Sequence, residues 1–215
     1  MKTRYGSLDS QRLVIAHFAL GGLSLLNAID QVENVDDVIN WVYSLQSPTG
    51  GFYGSDMQKS LSHRIQQTHI ASTFSAVHCL LLLGDDLSRV NVPKLLSWKG
   101  LKTTLDNFVL PGKPDFRFWI KLIFSPIERL RSLQNENGSI SAMSQNIEAA
   151  DMRFSFCAAY LHYVFAVPGL KSIDTKLATD WIQSCKSPQN AYGQVPDGEA
   201  HAGSGFKTFT SVTLK

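Results

Sequence analysis

Only three cysteines, Cys79, Cys157 and Cys185, occur in the 215 residues of this chain. Their odd number, wide separation and apolar neighbours exclude a disulfide framework and a local zinc knuckle, and predict reduced, buried thiols. Charge is scarce as well: Asp, Glu, Lys and Arg make up 18% of the residues and leave a formal net charge of +2. No basic run accompanies that small excess, which excludes the electrostatic footprint of a nucleic-acid or membrane-surface partner. Long apolar stretches are also missing. The longest, "CLLLLG" and "FCAAYLHYVFAV", fall well short of the roughly 20 residues that span a bilayer. The opening "MKTRYGSLDSQR" carries no apolar signal core, so a cytoplasmic protein without membrane insertion is expected. No stretch alternates as a half-buried strand does, and the class predicted is all-α.

What is present is repetition. The stretches "YSLQSPTGGFYG", "RSLQNENGSISA" and "QSCKSPQNAYGQ" align. Ser44, Ser132 and Ser184 share one column, Gln46, Gln134 and Lys186 another, and Gly50, Gly138 and Asn190 a third. Each ends a helical pattern and enters a turn whose Gly or Asn tolerates positive φ. A second, more apolar helix follows each turn, opening at His69, Asp151 and His201, with Phe74, Phe156 and Phe206 in a common column. The unit is a helical hairpin, and 44% hydrophobic content over this length suffices for one shared core.

Elsewhere the same period recurs. Asp9 or Ser10 can cap a first helix on which Val14, Phe18 and Leu25 fall on one face. Asn34 can cap a second helix with acidic residues in its first turn. The spacing between the first two turns is longer than between the last two, and residues 99–126, rich in aromatics and interrupted by prolines, account for most of the excess. That segment is expected to be an insertion.

In "DMRFSFCAAY" a charged pair, Asp151 and Arg153, stands directly before an apolar run. Charged side chains are almost never fully buried unless paired. Arg153 therefore either pairs within the chain, with Asp151 or Glu148, or holds an anion from outside.

The stretches "RLVIAHFALGGLSLL", "VINWVYSLQ", "HIASTFSAVHCLLLLGDDLSRV", "LQNENGSISA", "DMRFSFCAAY" and "GEAHAGSGF" resemble, in order, the β subunits of the protein geranylgeranyltransferase type I family. The resemblance covers most of residues 8–206 apart from 99–126, and the end, 207–215, departs from it. It implies part of an α/α toroid built from prenyltransferase-type hairpin repeats, associated with a separate α subunit. It further implies transfer of geranylgeranyl from its diphosphate to the cysteine of C-terminal CaaX proteins. The family's chemistry uses a zinc-bound thiolate and cationic groups around the departing diphosphate.

Residue by residue, the resemblance implies that His69 and Arg153 hold the peptide's terminal carboxylate, and that His201 binds diphosphate at a helix start. A glutamate of the same network falls at Ala149 here, with Glu148 one position away. Val14 and Phe18 fall where the family lines its isoprenoid pocket, and a small residue at Val14 suits the longer chain. The family's zinc ligands, an Asp-x-Cys pair and a later His, have no counterpart here, since no aspartate stands two positions before any of the cysteines. Zinc is thus the family's cofactor without ligands in this chain, which by itself is expected to lack transferase activity. Two other classes compete with that reading. One is a non-catalytic helical-repeat protein that binds the α subunit or CaaX peptides. The other is a terpene-cyclase relative, for which "QSPTGGF" offers a motif but "NVDDVIN" and "GDDLSR" offer no catalytic aspartates.

Overall fold

A computed structural model describes residues 6–48, 50–61, 68–90, 131–143, 150–165 and 173–205. The expected insertion at 99–126, Glu148, Phe206 and the 207–215 tail lie outside the described residues. A 3-10 turn, Gly6–Gln11, leads into α1 (Arg12–Leu25), followed by α2 (Val35–Ser44), α3 (Asp56–Leu61), α4 (Ile70–Leu82), α5 (Met152–Val164) and α6 (Thr175–Ser184). Helical residues also occur at 131–133 and 202–205.

The three aligned turns share one geometry. Antiparallel bridges join Gln46 to Phe52, Gln134 to Ile140 and Lys186 to Tyr192, so the second repeat column marks where each turn closes. At the apex Gly50, Gly138 and Asn190 have φ of 96°, 88° and 61°. This is the left-handed region that glycine and asparagine enter most readily. The N–H groups of Leu13, Ile70 and Met152 then donate to the carbonyls of Gly54, Ala142 and Gln194 at 3.0, 3.0 and 2.9 Å. Each apolar helix is thereby pinned at its first turn to the hairpin that comes next, which brings the starts of α1, α4 and α5 into one register.

Helices α1, α4 and α5 lie side by side, with α4 packed against both others. The central place of α4 explains its composition. Ile70, Phe74, Ala76, Val77, Cys79 and Leu80 are all buried, covering most of its circumference. Leu13 and Leu20 of α1 and Phe154, Cys157, Ala158 and Leu161 of α5 complete this core. By contrast α2 and α6 are amphipathic and bury a single edge, as Ala178, Trp181 and Ile182 do for α6. Trp181 and Ile182 pack with Met152 and Cys185 in a second, smaller cluster. All three cysteines are free and buried, as their apolar contexts predicted.

Three local expectations are corrected. Neither Asp9 nor Ser10 caps α1; the helix starts at Arg12 without a side-chain cap, and Asp9 pairs with the Arg12 guanidinium at 2.8 Å. On α1 the buried residues are Leu13 and Leu20, whereas Phe18 and Leu25 are 71% and 87% exposed. The neighbour α4 selects that face, because α1 is apolar on more than one side. Asn34 does precede α2, but its side chain makes no capping bond; it adopts φ 52°, and its carbonyl accepts from Asp37 and Val38 instead.

Candidate functional site

The starts of α1, α4 and α5 converge on a cavity of about 780 Å³. Val14, His69 and Arg153, chosen from sequence on three separate helices, all line it. Capping explains how two of them are held. His69 is the N-cap of α4 and its Nδ1 accepts the Ala71 N–H at 3.1 Å. A neutral ring that accepts at Nδ1 carries its proton on Nε2.

Asp151 caps α5 in the same way. Its Oδ1 accepts the Arg153 N–H at 2.7 Å, while Oδ2 accepts from Arg153 Nε at 2.8 Å and Nη2 at 2.5 Å. Arg153 therefore makes the intramolecular pair and faces the cavity at once, with its side chain 54% exposed and that of Asp151 only 10%. The ring of Phe154 lies between the two predicted carboxylate ligands. Its centroid is 5.4 Å from that of His69, and the Arg153 Cζ stands 5.5 Å over it.

His201 does not line the cavity, but it is connected to it. Gln194, a lining residue, places Nε2 3.3 Å from His201 Nε2, and Ser204 Oγ lies 3.0 Å from the same nitrogen. Phe18 is directed elsewhere, with its ring centroid 5.1 Å from that of His17. Sequence reasoning missed Phe154, Gln58, Ser72 and Gln194 as cavity residues. Of these only Phe154 carried a signal, an aromatic residue next to the charged helix start.

The described residues do not fit a zinc site. Among them no three His, Cys, Asp or Glu side chains converge as a ligand set. Burial also pushes the thiols of Cys79 and Cys185 up to about 12 and about 11, away from the thiolate a metal requires. A guanidinium, an imidazole and an aromatic ring around one cavity instead form surroundings suited to an anionic group with apolar surface beside it.

The sequence matches the prenyltransferase alpha-alpha toroid domain over residues 1–124 and again over 121–214. The chain belongs to that family. Among prenyltransferase toroid proteins it is 29% identical to the geranylgeranyl transferase type-1 subunit beta of Arabidopsis thaliana, across 98% of this chain and 51% of that protein. It is 27% identical to the Dictyostelium discoideum protein of the same name, across 98% of this chain and 57% of the other. The fold is also that of a solved Candida albicans protein geranylgeranyltransferase-I complexed with GGPP. That match has a TM-score of 0.68 at 16% identity, covering all of this chain and 55% of the other. The chain thus spans about half the length of the relatives it matches. The hairpin repeats seen above are those of the toroid, with α1, α4 and α5 in one row of helices and the amphipathic α2 and α6 packed beside it.

Proposed function

We propose that this chain is of the β-subunit type of protein geranylgeranyltransferase type I and supplies the end of the active site that holds the terminal carboxylate of a CaaX peptide. In this reading it works in the cytoplasm with an α subunit and with geranylgeranyl diphosphate. The observation that carries it is the convergence of Val14, His69 and Arg153 on one cavity. Arg153 offers a planar guanidinium that Asp151 orients, and His69 an Nε2 donor that the helix cap orients. Both suit a carboxylate. Val14 is small enough to leave depth for the longer isoprenoid, and His201, tied to the cavity through Gln194, is the residue this reading assigns to the diphosphate. The metal that serves the thiol nucleophile in this chemistry is not held by the described residues.

The test is equilibrium binding of a fluorescent CaaX-type peptide to the chain purified with an α subunit. Hydrogen bonds to charged groups are worth about 1.5–3 kcal/mol, so amidating the peptide's C-terminus or making Arg153→Gln should weaken binding about 10- to 100-fold. Equal affinity for the free and amidated peptides would remove this reading.

A further inference from the structure

Away from the carboxylate end, α1 and α4 are joined by two imidazoles. His17 and His78 bring their Nδ1 atoms within 2.9 Å. Aromatic rings surround the pair. Phe74 meets His17 edge-on at 5.1 Å and stacks on His78 at 5.8 Å, and Tyr160 of α5 meets His78 edge-on at 5.6 Å. His17 follows Leu13 at the same offset as Phe74 follows Ile70 and Phe156 follows Met152. It therefore occupies an aromatic column of the repeat with a group that can take a proton.

We propose that the His17–His78 pair is an acid-sensitive latch between α1 and α4 that positions the Val14 wall of the cavity, and that charging both rings parts the two helices. The hydrogen bond requires one ring to donate Nδ1–H and the other to accept at Nδ1. The accepting ring then carries its own proton on Nε2. A first added proton can go to Nε2 of the donor ring and leave the bond intact. A second must go to the accepting Nδ1, which sets two N–H groups and two positive charges face to face.

Among the described residues no carboxylate is paired with either ring. Helices α1, α4 and α5 contain no carboxylate along their lengths. Among the described residues on the elements packed against the pair, Asp9 and Arg12 pair with each other, and Tyr43 of α2 is bound to Asp85. Asp151 and Arg153 likewise pair at the far end of α5. Asp30, Asp36 and Asp37 belong to the short helical turn at 29–31 and to the first turn of α2. Cys79 is a buried thiol, and His162 and Tyr163 lie further along α5 than the Tyr160 ring that meets His78.

Burial lowers both imidazoles, His17 to about 4 with the neighbouring His78 adding to the effect. The rings therefore bind protons more tightly when the helices are apart. The latch holds fully above the free-imidazole value of 6.5 and is lost as pH falls from there toward about 4. Val14 lies about one helical turn before His17, so movement of α1 at the latch reaches the cavity wall directly. This inference depends on the fold alone and holds whatever the cavity binds.

The experiment uses the full chain, labelled for imidazole nitrogen and valine methyl NMR, at about pH 7.5 and about pH 5.5. It is paired with thermal melts of the unmutated chain and the His17→Phe/His78→Phe variant. The two rings should show opposite tautomers at the higher pH, and on further acidification toward about pH 4 the Val14 methyl signals should move only when the histidines are present. The melting midpoint of the unmutated chain should fall about 2–4 °C more than that of the variant between the two pH values. His162 titrates in both proteins and cancels. Matching tautomers, titration of both rings as free imidazoles, or an unchanged pH dependence in the variant would overturn the latch. Should the variant fail to fold, the tautomer and Val14 signals of the unmutated chain decide alone.

Discussion

Asp151 divides its two oxygens between a backbone and a side chain, with Oδ1 capping α5 and Oδ2 orienting the Arg153 guanidinium. The two roles differ in their energetic weight. An N-cap aspartate is worth about 0.5–2 kcal/mol, whereas an ion pair whose cation is half in water adds little. Asp151→Ala should therefore cost about 1–2 kcal/mol in urea denaturation. Asp151→Asn keeps a capping acceptor and should lose less than half of that. A smaller effect for alanine than for asparagine would show that the cap does not dominate. At the next lining position, Val14→Trp fills space that the cavity now leaves open. On the function proposed above, competition binding with an α subunit present should show preference moving from geranylgeranyl diphosphate toward the shorter farnesyl diphosphate by about tenfold or more, in keeping with one lost apolar subsite.

Elements are set by their turns, and the turns were legible because they depend on local chemistry. Gly50, Gly138 and Asn190 could be aligned from sequence since few residues enter positive φ without strain, and the bridges then close at the adjoining column. The helix starts at His69 and Asp151 were readable for the same reason, their side chains being caps. The exposed face of α1 was not. An apolar helix has no periodic mark for which neighbour covers it, and only the packing of α4 against Leu13 and Leu20 decides. Gln58, Ser72 and Gln194 were equally hidden, because they meet in space through hairpins far apart in sequence. One glycine tests how far the turns control packing. A Cβ on Gly138, φ +88°, would stand 2.0 Å from the Leu177 carbonyl oxygen of α6, whereas one on Gly84, φ +79°, would have no atom within 4 Å. Gly84→Ala should cost about 1–2 kcal/mol for the left-handed backbone alone. Gly138→Ala should cost about 2–4 kcal/mol, since backbone must also shift. Equal denaturation midpoints for the two variants would mean that α6 is not braced on this turn.

At the scale of the molecule, α1 carries an exposed apolar face among the described residues. Ile15, Phe18, Leu25 and Leu26 are 44%, 71%, 87% and 77% exposed, and all four belong to this one helix and its C-cap. Scattered apolar side chains on a surface need no explanation, but a contiguous row along one helix drives association. Burying a leucine side chain is worth about 1.5–3 kcal/mol, so two of them can raise an association constant by well over tenfold. In sedimentation velocity the chain should self-associate as its concentration rises. Leu25→Gln combined with Leu26→Gln should weaken that association at least about tenfold while leaving the circular dichroism and melting midpoint nearly unchanged. Neither leucine belongs to the buried core, so a large loss of stability in the double variant would place them in a packing role that their exposure does not show. Association that persists at the same strength would move the sticky surface away from α1.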